Sequence, residues 1–168
     1  MMLKQNSENI NPEDGLPEDL FTEISGLVPI PNVDLFILDD KGRLLLTRRD
    51  DRFFGKGWHL PGGCIRFKET MQERIQRTAQ SELGTTVQFE KDPVAVRDVI
   101  IREQRPGLED QNQRAHHLAV MYRCCPDDTE YIESLVSAGE AGWFEKIPED
   151  ILPVHAVFND IFKKYGLM

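Results

Sequence analysis

Residues 62–85, GGCIRFKETMQERIQRTAQSELGT, decide the fold of this chain. Within them Gly63, Glu69, Arg77 and Gly84 stand at fixed intervals, with five, seven and six residues between successive members. Gly62-Gly63, preceded by Pro61, interrupts regular structure, so the backbone there can approach a ligand closely and present its carbonyls. A helix is expected to begin at Glu69 or Thr70 and to run to Leu83, with Gly84 as its C-terminal cap. On that helix Glu69, Glu73 and Arg77 recur every four residues and can pair, while Thr78, Ser81 and Glu82 share another face. An amphipathic surface helix with ion pairs explains the helix alone. It leaves the glycine pair and the complete spacing unexplained.

The totals bound what the rest of the chain can be. Its 168 residues, 40% of them hydrophobic, suit a single domain with a proper core. A net charge of −9 without any block of Lys and Arg excludes a binder of nucleic acid polymers, so an anionic substrate must be held by a local arginine or metal site. Cys64, Cys124 and Cys125 form no C-x-x-C pair and are odd in number, which does not suit a disulfide scaffold. With no apolar run near 18 residues and no signal-peptide pattern, the expectation is a cytoplasmic protein with reduced thiols and no membrane association.

Working outward, residues 1–19 read as a flexible arm and residues 20–168 as the domain. Residues 20–28 are apolar enough for a short strand or helix packed on the body or on a second subunit. Residues 33–38 and 43–47 flank the turn Asp39-Asp40-Lys41-Gly42 and read as a hairpin. Short strands are expected at 58–60 and 64–67, and further strands at 86–90, 94–103, 116–125 and 141–144. Residues 104–114 form a polar loop, and 127–139 are ambiguous, with a helical turn at 130–135 as one reading. Val154, Val157, Phe158, Ile161 and Phe162 share one face of a terminal helix over 154–165. The alternation of strands and helices makes this an α/β chain with a mixed sheet.

The spacing of residues 63–84 resembles the Nudix box, G-x5-E-x7-R-E-U-x-E-E-x-G-U with U aliphatic. Thr78 and Ser81 depart from it, standing where most members carry glutamates. A box so depleted is similar to that of the GDP-mannose mannosyl hydrolase branch, R-x-x-x-x-E-L-G, which residues 77–84 follow closely. The likeness extends through Val33-Asp34-Leu35-Phe36, Leu45-Leu46-Thr47-Arg48-Arg49, Gly57-Trp58-His59-Leu60-Pro61 and Val154-His155-Ala156. It implies a Nudix α/β/α sandwich, a magnesium-dependent hydrolase and a homodimer.

Carried over residue by residue, the resemblance implies Mg²⁺ on the Glu82 side chain and the Gly62 carbonyl, with diphosphate oxygens and water completing the shell. Gly63, Glu69, Arg77 and Gly84 would be structural members of the box. Arg49 would help neutralise the departing diphosphate; read alone, it is a solvated hairpin end. Asp34 would lie near the sugar, where negative charge favours an oxocarbenium-like transition state; read alone, it is a strand residue bonded to neighbouring backbone. Cys64 replaces an arginine of the branch, and Arg66, expected on the same strand face, is the candidate substitute for binding substrate. His117 replaces a tyrosine that assists the leaving group. The branch's base, a histidine in the loop before a tryptophan strand, has no counterpart ahead of Trp143, and Glu140 is the nearest group able to take a proton. Otherwise Glu140 is a solvated loop carboxylate. His59, His116 and His155 receive purely structural readings, on a sheet face, at a strand end and near a helix start.

Three functions follow as expectations. The first is hydrolysis of a nucleotide sugar at C1, releasing GDP and hexose. An ordinary Nudix pyrophosphohydrolase would instead attack phosphorus, and the absent carboxylates at 78 and 81 count against it. A domain that binds a nucleotide ligand without turnover is the third, favoured by the missing base.

Overall fold

The computed structural model describes residues 16–103 and 112–168. In chain order the elements are helix α1 (Glu18–Ser25), strands β1 (Ile30–Ile37), β2 (Leu44–Asp51), β3 (Gly55–His59) and β4 (Gly62–Cys64), helix α2 (Met71–Leu83), strands β5 (Val87–Phe89), β6 (Ala95–Ile100) and β7 (His116–Pro126), helix α3 (Glu130–Ala138), strand β8 (Ala141–Phe144), and helix α4 (Asn159–Lys164) entered through a 3-10 segment, Pro153–Phe158. Among the described residues, no helix is long and apolar enough to cross a membrane.

Because both faces of β1 and β7 are covered, their apolar runs are nearly continuous, as buried parallel pairs require. They lie parallel, from Ile30 opposite His117 to Ile37 opposite Cys124. Antiparallel β4 borders β1, while β6 and β5 pair antiparallel with successive parts of β7. Val33, Leu35, Ile37, Val120, Tyr122 and Cys124 pack against Ile75, Ala79 and Leu83 of α2 and Ile132 of α3. On the other face Phe36, Ala119 and Met121 meet Phe158, Ile161 and Phe162. The result is an α/β/α sandwich, flanked by a second sheet in the antiparallel order β3-β2-β8.

The hairpin expected across residues 33–47 is corrected by this topology. The turn forms, with Asp39 accepting from the Lys41 and Arg43 N–H groups, but beyond one bridge between Leu38 and Leu44 the strands part into different sheets. Likewise the expected strand 64–67 is shifted, because β4 begins on the glycine pair and ends at Cys64. Gly62 and Gly63 are not left-handed; they are glycines because neighbours crowd them.

The box helix forms where local chemistry specifies it. Thr70 accepts from the Glu73 N–H, the Glu73 carboxylate accepts from the Thr70 N–H, and Gly84 closes the helix at φ 66°. Glu73 is thereby engaged in the cap, and Glu69 pairs with Arg74 at 2.6 Å and Arg77 at 3.3 Å. Of residues 20–28, 20–25 lie in α1 and 26–28 form the turn after it, residues 130–138 are helical, and the expected terminal helix starts as a 3-10 turn at Pro153. The expected arm falls mostly on residues 1–15, and most of the polar loop on residues 104–111, outside the described residues.

Candidate active site

Glu82, in the last turn of α2, is delivered to the place where β2, β3 and β4 meet. Thr47 and His59 are register partners across β2 and β3, so their side chains reach it together. The Thr47 Oγ1 lies 3.2 Å from Glu82 Oε2, the Gly62 N–H donates to Oε1 at 3.4 Å, and Arg49 Nη2 stands 3.6 Å away. Burial pushes the Glu82 carboxyl up from its ordinary value, opposed by Arg49, the Gly62 N–H and the Thr47 hydroxyl. His59 is neutral, because burial holds its pKa well below the usual range. Its Nδ1–H donates to the Leu60 carbonyl at 2.6 Å, leaving Nε2 as an acceptor 3.0 Å from the Thr47 hydroxyl. One Thr47 proton therefore serves either His59 or Glu82, not both.

Beneath Gly62 lies a second carboxylate. Asp34 is only 4% exposed, accepts from Asn32 Nδ2 at 3.1 Å, and is raised by burial to about 7. A Cβ on Gly62 would fall 2.7 Å from Asp34 Oδ1, so a glycine is required for this approach. Asp34 shares an enclosed pocket with Arg49, Cys64, Arg114, His117 and His155. Burial lowers His117 to about 4 and His155 to about 3, and His155 Nε2 accepts from the Leu60 N–H at 3.3 Å. The histidines are thus neutral groups able to donate or accept, while the fixed positive charge is Arg49 and Arg114.

The donor set fits a hard divalent cation. Two largely buried carboxylates, each penalised as an anion by burial, sit with the Gly62 backbone and the Thr47 hydroxyl, and Glu82 adds to the cost of ionising Asp34. An oxygen-lined site with one or two carboxylates is what Mg²⁺ accepts alongside substrate phosphates. Among the described residues, no group of three or more His, Cys, Asp and Glu is placed to hold a metal. Thr78 is 2% exposed, and a Cβ on Gly63 would come within 2.8 Å of its hydroxyl. Ser81 bonds back to the Thr78 carbonyl at 3.2 Å.

The structure brings most of the expected site residues together. Arg49, Glu82 and Glu140 line one open groove with Thr47, and Arg49, Asp34, Gly62 and His117 line the enclosed pocket, so Arg49 joins the two. Arg66 is the exception. Because β4 stops at Cys64, Arg66 shares no strand face with it; its guanidinium lies 3.6 Å over the Phe21 ring and 3.1 Å from Glu18, holding α1 to the body. Gly63, Glu69, Arg77 and Gly84 shape the box: Glu69 also accepts from the Arg66 N–H at 2.9 Å, tying the turn to α2. His59 and His155, expected to be purely structural, also line the pocket, as does Arg114, which the sequence did not mark. His59 lies three residues before Gly62 and was findable by adjacency; His155 lies within the likeness at Val154-His155-Ala156, and Arg114 arrives from a distant segment without a local signal.

The NUDIX domain family matches residues 28–159 of the chain. The low-salt glycan biosynthesis protein Agl8 of Haloferax volcanii is 28% identical over 127 residues, 76% of this chain and 78% of that protein. Among solved structures, the MutT protein from Methanosarcina mazei Go1 is similar with a TM-score of 0.53 and 20% identity, covering 82% of this chain and 93% of that one. A NUDIX hydrolase from Nitrosomonas europaea gives 0.54 and 20%, covering 82% and 72%. These structural likenesses bear on the fold.

Proposed function

Because the chain belongs to the NUDIX domain family, we propose that it is a magnesium-dependent hydrolase of a nucleoside diphosphate sugar, GDP-mannose-like, that releases the nucleoside diphosphate and free hexose. The observation that carries this reading is the single carboxylate, Glu82, that the box helix presents beside Gly62, joined through Arg49 to a pocket holding Asp34 and His117. The glycan-biosynthesis name of Agl8 agrees with a sugar-nucleotide substrate class.

In this reading Glu82 and the Gly62 carbonyl hold Mg²⁺, which supplies neutralisation of diphosphate charge when bound. Arg49 orients the diphosphate, its planar fork suiting two phosphate oxygens. Asp34, when ionised, places negative charge where an oxocarbenium-like sugar develops positive charge. His117, a neutral ring bonded to the Arg114 carbonyl, assists the leaving group. Glu140, exposed beside the groove, takes the proton from the attacking water. Attack at phosphorus would instead call for carboxylates where Thr78 and Ser81 stand.

Incubation with a panel of GDP- and UDP-sugars and Mg²⁺, followed by product separation, tests the proposal. Nucleoside diphosphate with hexose is the expected pair. Nucleoside monophosphate with hexose phosphate would assign the pyrophosphohydrolase reaction, and tight binding without products would assign a binding domain.

A further inference from the structure

Arg114 was not anticipated as part of the site, yet it borders both the enclosed pocket and the open groove, as Arg49 does. Its position is built. The Arg114 N–H donates to Ser25 Oγ at 3.1 Å, its Nη2 lies 2.8 Å from Glu18, and its guanidinium stands 4.2 Å over the Phe53 ring, which fixes the plane of the fork. The backbone is left-handed at φ 55°, unusual for an arginine and a conformation the chain adopts at a cost. Most telling is Nε: it is buried and has no hydrogen-bond acceptor among the described residues. A buried donor left unpaired is unfavourable, so an incoming acceptor would recover that loss.

Charge points the same way. Burial raises the Cys64 thiol in the pocket, and against it Arg114 is the leading favourable influence on negative charge there, ahead of Arg66 and Arg49. Arg66 also has an unpaired buried nitrogen, Nη1, but it lies outside the lining of both cavities and is committed to α1. Arg49 is loosely held, 3.4 Å from Asp51 and 3.6 Å from Glu82. We propose that Arg114 is a diphosphate-binding residue that grips the substrate anion together with Arg49, its present partner Glu18 being an exposed carboxylate of α1. The inference rests on the reading of this site as one for a nucleoside diphosphate ester. It assigns to the segment before β7 the anion contact that Arg66 was expected to make from beside the glycine pair.

Calorimetric titration of the full chain with inorganic pyrophosphate and with GDP, in Mg²⁺, tests this without relying on turnover. Arg114→Gln should weaken binding on the order of 10- to 100-fold, the range for a lost hydrogen bond to a charged group, and Arg114→Lys should restore part of it, a point charge replacing a fork. Glu18→Gln should bind as wild type or more tightly, because the competing carboxylate is gone. Thermal melts of each variant confirm that binding is compared between folded proteins. Wild-type affinity in folded Arg114→Gln would overturn the proposal and leave the proposed function standing. A loss in Glu18→Gln equal to that in Arg114→Gln would also overturn it, tracing the effect to the seating of α1. Failure of the wild type to bind either anion would overturn both.

Discussion

In the proposed function Glu82 is the one metal-binding side chain of the box helix, because Thr78 is buried under Gly63 and Ser81 is bonded to the helix backbone. Glu82→Gln should therefore lose nearly all Mg²⁺-dependent turnover in a substrate assay. Glu73→Gln, whose amide oxygen can still accept from the Thr70 N–H, should leave turnover nearly unchanged and the denaturant unfolding curve little shifted. Comparable losses of turnover in both would remove Glu82 from the metal role. Glu140 carries the second residue-scale prediction: with no histidine in its loop, Glu140→Gln should slow turnover on the order of 100-fold, if the residue takes the proton from water. Wild-type rate in that variant would leave it a solvated carboxylate. Glu82 and Gly62 were legible in sequence because the box fixes them relative to one another. Arg114 was not, and His155 was read only as structural, since the pairing of β7 with β1 and the packing of the terminal 3-10 segment carry them to the pocket. Arg66 misled for the same reason: period-two reasoning assumed a strand that ends two residues too early.

Among elements, α2 was the most legible because its cap, box and terminating glycine are local signals that tertiary packing only reinforces. Gly84 shows how far that packing goes. Its φ of 66° disfavours any side chain, and the Tyr131 ring of α3 lies directly against the position a Cβ would take. Gly84→Ala should destabilise by roughly 1–3 kcal/mol from the strained backbone alone, with the clash added. Adding Tyr131→Ala should recover the steric part but not the backbone part, a split that unfolding curves of the three variants would resolve; full recovery would deny the backbone its share. The β1 and β2 pair was less legible, because a four-residue turn between apolar runs has the same sequence whether the strands pair or diverge. The choice was made elsewhere, by β7 and β4 pairing with β1 and by β3 and β8 pairing with β2.

For the molecule as a whole, the buried ionisable groups set how stability depends on pH. His59, His117 and His155 all have folded pKa values below the usual 6.5, so stability is full above about 6.5 and is lost as acid protonates the unfolded chain preferentially. Asp34 acts in the opposite sense: its folded value of about 7 against an ordinary 3.8 makes stability fall as pH rises through that window. Glu82, also raised by burial, acts in the same sense as Asp34; below 6.5 the three histidines outweigh these two carboxyls, and between 6.5 and about 7 the Asp34 slope is exposed. Thermal melts in EDTA should accordingly show greatest stability near pH 6.5, and Asp34→Asn should raise the melting temperature above pH 7; an unchanged alkaline limb in that variant would show that Asp34 is not a buried, strained acid. In the proposed function the same pocket directs water to the sugar C1 rather than to phosphorus. Hydrolysis of GDP-mannose in ¹⁸O-water with Mg²⁺, read by mass spectrometry of both products, tests it directly. Label in the free hexose with unlabelled GDP is the predicted result, and label in a phosphate-bearing product would contradict it.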